Sequence, residues 1–293
     1  MEELIMFEKA FYECESHENK PNDVEHLVNI LINLPAIRPF SLEKSVQLCT
    51  EYCKNEDFRE LFVQRAFICP VLLFKLYQNG SILFSEVSQH FQKENSLILK
   101  IFFRKDIVGF EYYNPEKRGQ YGFDDSFIEN DESIDTLISF GYLPNSIEYC
   151  LKYDDIDIFQ VIYPCDASCA KWSPFEWSKK PKSLDFLSFS GFFGSIHCFK
   201  HLLLSGYIVK SCVFKHVYSS GNFELISLFG EYFIDYTELL FVAIEFNRFS
   251  FVVHSFENGA NINARKDYNF LCFFRPPLYI WLLKRDISVL LTF

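Results

Sequence analysis

Apolar positions recur at helical spacing along most of the chain, in short runs separated by polar, proline-containing or glycine-containing breaks. Leu4, Phe7 and Phe11 mark a first amphipathic helix. Pro21-Asn22-Asp23 breaks and caps, and Leu27, Val28, Leu31 and Leu34 then share a face as far as Pro35. Ser41 is placed to cap a third helix through Val46, Cys49 and Cys53. Asp57 followed by Glu60 has capping-box spacing ahead of Leu61 and Phe62. The run Cys69 to Gly80 starts on Pro70 and ends on glycine, the order helices prefer. Ser85 and Asn95 can start two more helices. No segment alternates as a half-buried strand does, so the pattern predicts an all-α chain.

The segment Phe110 to Asn130 interrupts this pattern with Tyr112-Tyr113-Asn114-Pro115 and Gly119-Gln120-Tyr121-Gly122. It reads as an exposed loop, and its glycines lack the spacing of a phosphate cradle. From Leu143 the pattern becomes periodic. Pro144-Asn145-Ser146 opens a helix through Ile147, Cys150 and Leu151, and Asp154-Asp155 opens another through Ile158, Phe159 and Ile162. Paired aspartates at a helix start serve as caps and complement the dipole.

The stretch Leu187 to Gly206 holds two short helical patterns that meet at Gly194, with Ser190 and Gly191 as a small pair before it. Ile196, Phe199, Leu202 and Leu203 follow on one face, and Gly206 closes the second helix. Turn residues Gly194, Gly221 and Asn247 recur at roughly 27-residue intervals, within the range of helical repeats. A hairpin of two short helices cannot bury its apolar face alone, so stacked neighbours are required. Val217-Tyr218 stands out as bulky at a position where helices in such a stack should meet closely.

Some of these residues resemble a known family. Asn258-Gly259-Ala260-Asn261-Ile262-Asn263-Ala264-Arg265 is similar to the β-hairpin entry of an ankyrin repeat, and Pro277-Leu278-Tyr279 resembles the box that opens the next one. Ser146 to Asp155, Ser190-Gly191-Phe192-Phe193-Gly194 with Cys198-Phe199-Lys200, Gly221-Asn222 with Glu224, and Ala243-Ile244 with Asn247-Arg248 resemble a divergent ankyrin-associated domain of unknown function. That domain is expanded in trichomonad parasites. The resemblance implies a helical-hairpin solenoid with three parts. An N-terminal helical region covers 1–140, divergent ankyrin-associated repeats cover 141–257, and an ankyrin repeat incomplete at its C-terminal end covers 258–293. It also implies a protein-binding scaffold that uses hairpin tips and a concave helix face. The hairpin-tip residues Arg265, Lys266, Asp267 and Tyr268 are the implied partner contacts.

Composition narrows the function classes. The formal net charge of −11 and a pI near 5.2 argue against a nucleic-acid partner, which calls for a basic footprint. The short cluster Lys179-Lys180-Pro181-Lys182 reads as a solvated turn. Acid at Glu2-Glu3 stands where a signal peptide needs base, and no apolar run approaches a membrane span, so no membrane partner is expected and the expected location is the cytoplasm. The ten cysteines then read as reduced thiols. Cys49/Cys53 and Cys165/Cys169 have one-turn spacing without a matching second pair.

No cofactor is implied. The alternative to a non-catalytic scaffold is a metal-dependent enzyme using His197 and His201, which sit one helical turn apart around Cys198. A further alternative is a repeat array cut short. In that case Ile287, Val289, Leu290, Leu291 and Phe293 form an uncapped end open to self-association.

Overall fold

The computed structural model describes residues 20–37, 40–88, 91, 97–107, 131–163, 169–173, 175–176, 183–229, 235–246 and 248–261, and helices account for most of them. The leading helix around Leu4, the loop at Phe110 to Asn130 and everything beyond 261 lie outside the described residues. Among the described residues no helix is long and apolar enough to cross a membrane.

Among the described residues the first seven α-helices are α1 (Lys20–Ile37), α2 (Leu42–Tyr52), α3 (Glu56–Arg65), α4 (Pro70–Gln78), α5 (Phe84–Ser88), α6 (Leu97–Phe102) and α7 (Asp131–Phe140). They enclose one hydrophobic cluster in which Leu31, Phe58, Phe62, Leu72, Phe102 and Phe103 are fully buried. The helical stripes are those read from the sequence, but several ends differ. α1 runs two residues past Pro35, because a proline ring fixes φ in the helical range and in a last turn forfeits one hydrogen bond. Ser41 does not cap α2. Its hydroxyl donates to the Leu34 carbonyl at 3.1 Å and so closes the end of α1. Asn55, and not Asp57, caps α3, accepting from the Phe58 amide at 3.0 Å. Asp57 falls inside the first turn, where its charge complements the helix dipole.

The second half holds four helical hairpins among the described residues. They are α8 (Ile147–Tyr153) with α9 (Ile156–Ile162), α10 (Phe186–Phe193) with α11 (Ile196–Leu204), α12 (Ser211–Ser220) with α13 (Phe223–Ser227), and α14 (Tyr236–Glu245) with α15 (Phe249–Glu257). The leading helices pack in the order α8, α10, α12, α14, and the trailing helices α9, α11, α13 lie side by side behind them. Ion pairs cross from hairpin to hairpin, Lys200 to Glu224 at 2.7 Å and Lys215 to Glu238 at 2.7 Å.

One departure from the predicted pattern is a two-stranded antiparallel ribbon, β1 (Cys169–Lys171) and β2 (Ser183–Asp185), with Ala170 opposite Leu184. Each strand has three residues and buries only its middle one, which is too short for alternation to register in a sequence. The ribbon leads into Trp172, whose ring lies 5.0, 5.2 and 5.6 Å from those of Phe189, Phe192 and Phe193. Phe40, between α1 and α2, meets Phe193 edge-on at 6.0 Å. With α8 and α12 beside it and α11 behind, α10 is buried at all 8 of its residues. The bulky Val217 is accommodated by Gly191 on the facing helix. A Cβ at Gly191 would sit 3.0 Å from Val217 Cγ2 and 3.3 Å from the Phe199 ring.

Candidate functional site

The turns joining the paired helices form one edge of the stack, and their geometry repeats. The leading helix ends in a left-handed residue at Asp154 (φ 60), Gly194 (φ 78) and Gly221 (φ 77). An amide then reaches back five residues in the same way in three hairpins: Asp155 to the Cys150 carbonyl at 3.0 Å, Ser195 to Ser190 at 3.0 Å, and Arg248 to Ala243 at 2.8 Å. These bonds satisfy carbonyls that a helix end leaves open.

Each turn also donates to the turn before it. The Ser195 hydroxyl donates to the Leu151 carbonyl, Asn222 Nδ2 to the Gly194 carbonyl at 3.2 Å, and Arg248 Nε to the Ser219 carbonyl at 2.9 Å. Across the first pair of turns the exchange is reciprocal. Ser195 stands at the N-cap position of α11 but makes no cap bond of its own. Asp154 of the preceding hairpin supplies it, accepting from the amides of His197 at 3.1 Å and Cys198 at 2.9 Å. Of the two aspartates read as caps, Asp155 caps its own helix through Ile158, and Asp154 caps the next hairpin's.

His197 adds a third bond to Asp154, Nδ1 to Oδ2 at 2.7 Å, and facing a carboxylate that nitrogen carries the proton. His201, one turn on, is directed elsewhere: Nδ1 lies 3.4 Å from the Gln160 amide nitrogen, and the ring stands edge-on to Phe159 and Tyr163. The two imidazoles therefore serve different neighbours. Among the described residues no three His, Cys, Asp or Glu side chains converge as metal ligands would. Cys49 on α2 and Cys53 at its C-cap lie near Cys69. Burial pushes the Cys49 thiol well up and those of Cys53 and Cys69 to about 12, so all three stay protonated and poorly nucleophilic. Cys169 is exposed on β1, and Cys165 lies outside the described residues.

A second constellation joins the two halves of the chain. Lys152 on α8 projects among four rings, with its ammonium 5.0 Å from the centroid of Tyr153, 5.8 Å from Tyr142 and Phe193, and 5.9 Å from Phe40. It donates to the Phe140 carbonyl at 2.8 Å and pairs with Glu176, the side chains being 10% and 18% exposed. Burial raises the Glu176 carboxyl, against the pull of Lys152. Gly141 makes room for this pair, since a Cβ there would run into the Glu176 carboxylate. Tyr142 fixes the approach of the same segment by accepting from the Ser173 amide at 3.2 Å. A cation enclosed by rings and a carboxylate of its own chain binds the ribbon segment, α8 and the Phe40 loop together. The sequence reading did not single out Lys152 or Glu176, because no spacing links them.

On the outside, aliphatic side chains face water where the trailing helices end. Val161 is 85% exposed, Leu204 89% and Ile208 80%. They flank the junction of the first two hairpins, where the rings of Tyr163 and Tyr207 lie 6.4 Å apart. The implied partner residues Arg265, Lys266, Asp267 and Tyr268 lie outside the described residues, as do Lys179, Lys180, Pro181 and Lys182. Comparison of the chain with protein-family models, with curated proteins and with solved structures returned no match.

Proposed function

We propose that the chain is a non-catalytic protein-binding scaffold, a solenoid of ankyrin-like helical hairpins whose partner is another protein. The observation that carries this reading is the repeated turn, in which each hairpin donates to the carbonyl end of the one before it. Units linked in that way form a quasi-one-dimensional array, and such arrays work by presenting an extended surface. The partner surface is the edge that remains open. At the second hairpin Trp172 and Phe40 of the same chain cover the front of α10, which leaves the edge to the partner in this proposal. The contact positions of this proposal are the hairpin-tip residues Arg265, Lys266, Asp267 and Tyr268, together with the exposed aliphatics Leu204 and Ile208. Exposed apolar side chains at a solvent edge are characteristic of docking surfaces.

The test compares three forms of the full chain in cross-linking and mass spectrometry from cells. These are the wild type, a form with the four tip residues exchanged, and Leu204→Glu with Ile208→Lys. Because these two aliphatics touch little, the second variant should melt as the wild type does while losing its cross-linked partners. Identical partner recovery by all three forms removes the assignment.

A further inference from the structure

A series of rings at the first hairpin stays open to water although each ring touches the next. Phe140, the last residue of α7, meets Tyr149 and Tyr153 of α8 edge-on at 6.2 Å. Tyr149 lies 4.6 Å from Tyr153, and Tyr153 lies 5.9 Å from Phe40, in the loop before α2. Phe40 is 57% exposed, Phe140 42% and Tyr153 37%. The rings are held in place. The Tyr153 hydroxyl donates to the Phe140 carbonyl at 3.1 Å, and Lys152 donates to the same carbonyl. Phe40 has φ 64, in the left-handed region. Among the described residues the other non-glycine positions with positive φ are Asn145 and Asp154, types that accept it, whereas a bulky ring there is an outlier. Backbone strain at a residue that gains little burial is of the kind that clusters at functional sites.

These rings already receive one cation. The Lys152 ammonium lies 5.0 Å from the centroid of Tyr153 and 5.9 Å from that of Phe40, within reach of a cation–π contact. Lys152 is enclosed and paired with Glu176, so the exposed parts of the rings are left for a second cation from outside. The local charge favours one. Glu148, Asp154, Asp155 and Asp157 lie along α8 and into the start of α9. Near them stand Lys171 of β1, whose amide donates to Glu148, and the His197 imidazole bonded to Asp154. With Lys152 neutralised by Glu176, carboxylates are in excess, as they are over the whole chain at a net charge of −11. An open ring surface suits a guanidinium better than an ammonium. The guanidinium is flat and weakly hydrated and stacks on exposed rings, whereas a compact ammonium gains most where rings enclose it, as they enclose Lys152. We propose that Phe40, Phe140, Tyr149 and Tyr153 form a docking surface for an arginine-bearing peptide segment of a partner protein, with the carboxylates of α8 and α9 at its rim. This surface goes beyond the turn edge of the scaffold reading and differs from it in residues and in chemistry.

Fluorescence anisotropy of a labelled hexa-arginine peptide titrated with the full chain tests the surface. Hexalysine serves as a probe of equal charge, and hexaproline as an uncharged one. The arginine peptide should bind more tightly than the lysine peptide, and the proline peptide should not bind. Phe40→Gly with Phe140→Ser should weaken the arginine peptide about fivefold or more, since each exposed cation–π contact is worth about twofold to fivefold in affinity. Glycine accepts the left-handed φ of position 40, so the variant loses rings without adding strain. Glu148→Gln with Asp157→Asn should weaken both charged peptides. Leu204→Glu with Ile208→Lys should bind the arginine peptide as the wild type does, so failure of this surface and failure of the turn edge are distinguishable. Arginine binding no tighter than lysine binding, or unchanged by loss of the two rings, would mean charge alone and overturns the proposal. Preference for the proline peptide, or binding of none of the three, overturns it too. Where the ring variant fails to fold, titration of the wild type with labelled tyrosine rings decides by nuclear magnetic resonance. The arginine peptide must then shift the signals of Tyr149 and Tyr153, and shifts confined to other tyrosines overturn the assignment.

Discussion

Where the second hairpin meets the third, the closest approach is apolar: Gly191 lies against Val217 and the Phe199 ring, and the hydroxyl of Ser190 bonds within its own helix, while that of Ser188 bonds Asp185 at the helix start and lies 3.8 Å from Cys212 Sγ on α12. Where the third meets the fourth, rings of similar size enclose the hydroxyls of Tyr218 and Ser255 and the imidazole of His254. The first seam depends on the absence of a side chain, and the second on polar groups at its centre. The front of the second hairpin uses a third means, an ion pair closed off by rings. Hairpins with one turn geometry are therefore held by three kinds of contact, and each kind should fail in its own way.

The ion pair should fail most severely. Glu176→Gln leaves the Lys152 ammonium enclosed by Phe40, Tyr142, Tyr153 and Phe193 without its carboxylate. Removing one partner of a buried pair destabilises by about 3–5 kcal/mol, whereas replacing both with apolar groups is often neutral. Denaturant unfolding should accordingly show a large loss for Glu176→Gln and recovery of most of it in Lys152→Met with Glu176→Leu. The pH dependence reports the opposing cost, the burial of the carboxylate itself, which Lys152 offsets only in part. The folded-state pKa of Glu176 is raised from 4.5 by burial. A raised carboxyl binds its proton more tightly folded than unfolded, so its contribution is greatest below 4.5 and is lost as pH rises through the folded value. Glu176→Gln should abolish that component of the stability profile, and an unchanged profile would show that the pair does not govern the closure.

The apolar seam should fail next. Gly191→Leu adds volume where even a Cβ meets Val217 at 3.0 Å. Overpacking of this kind costs about 1–3 kcal/mol. Val217→Ala should relieve most of the loss when combined with it, although alone it opens a cavity. If Gly191→Leu melts as the wild type does, the seam is looser than its contacts imply and the contrast with the polar seam disappears.

The sequence made the periodic elements visible and left their partners hidden. Ser146, Asp155, Pro70, Gly194 and Gly206 act where their residue types prefer to act, because caps and turns are local and the preference is local too. Ser41 and Ser195 carry the same cap chemistry but spend it on the ends of other helices, which no local window contains. Asn55 displaced the expected Asp57 by two residues, within the uncertainty of any helix boundary. The ribbon at Ala170 and Leu184 is too short to alternate. Lys152 and Glu176 meet only because Gly141, Tyr142 and the ribbon bring distant segments together. The bulky Val217, which looked misplaced, is matched across the seam by a glycine that the sequence placed correctly but could not pair.

The smallest effect belongs to the turn edge, where Asp154 does for α11 what Ser195 does not. Removing an N-cap side chain costs about 0.5–2 kcal/mol. Asp154→Ala should fall toward the upper part of that range, because it also places an alanine in the left-handed region that Asp154 occupies at φ 60. Asp154→Asn keeps one acceptor and tolerates that conformation, so it should retain more than half of the stability lost by alanine. Amide hydrogen exchange separates this from a general loosening. The amides of His197 and Cys198 should exchange faster in Asp154→Ala, while the Glu224 amide, capped independently by Asn222 at 3.0 Å, should not change relative to its neighbours. Equal acceleration at all three amides would mean that the turns melt as one body and that the cap is not a separate link between the first two hairpins. A change confined to His197 and Cys198 would mean that each turn contributes its own bond to the stack, as the carbonyl-to-turn series predicts.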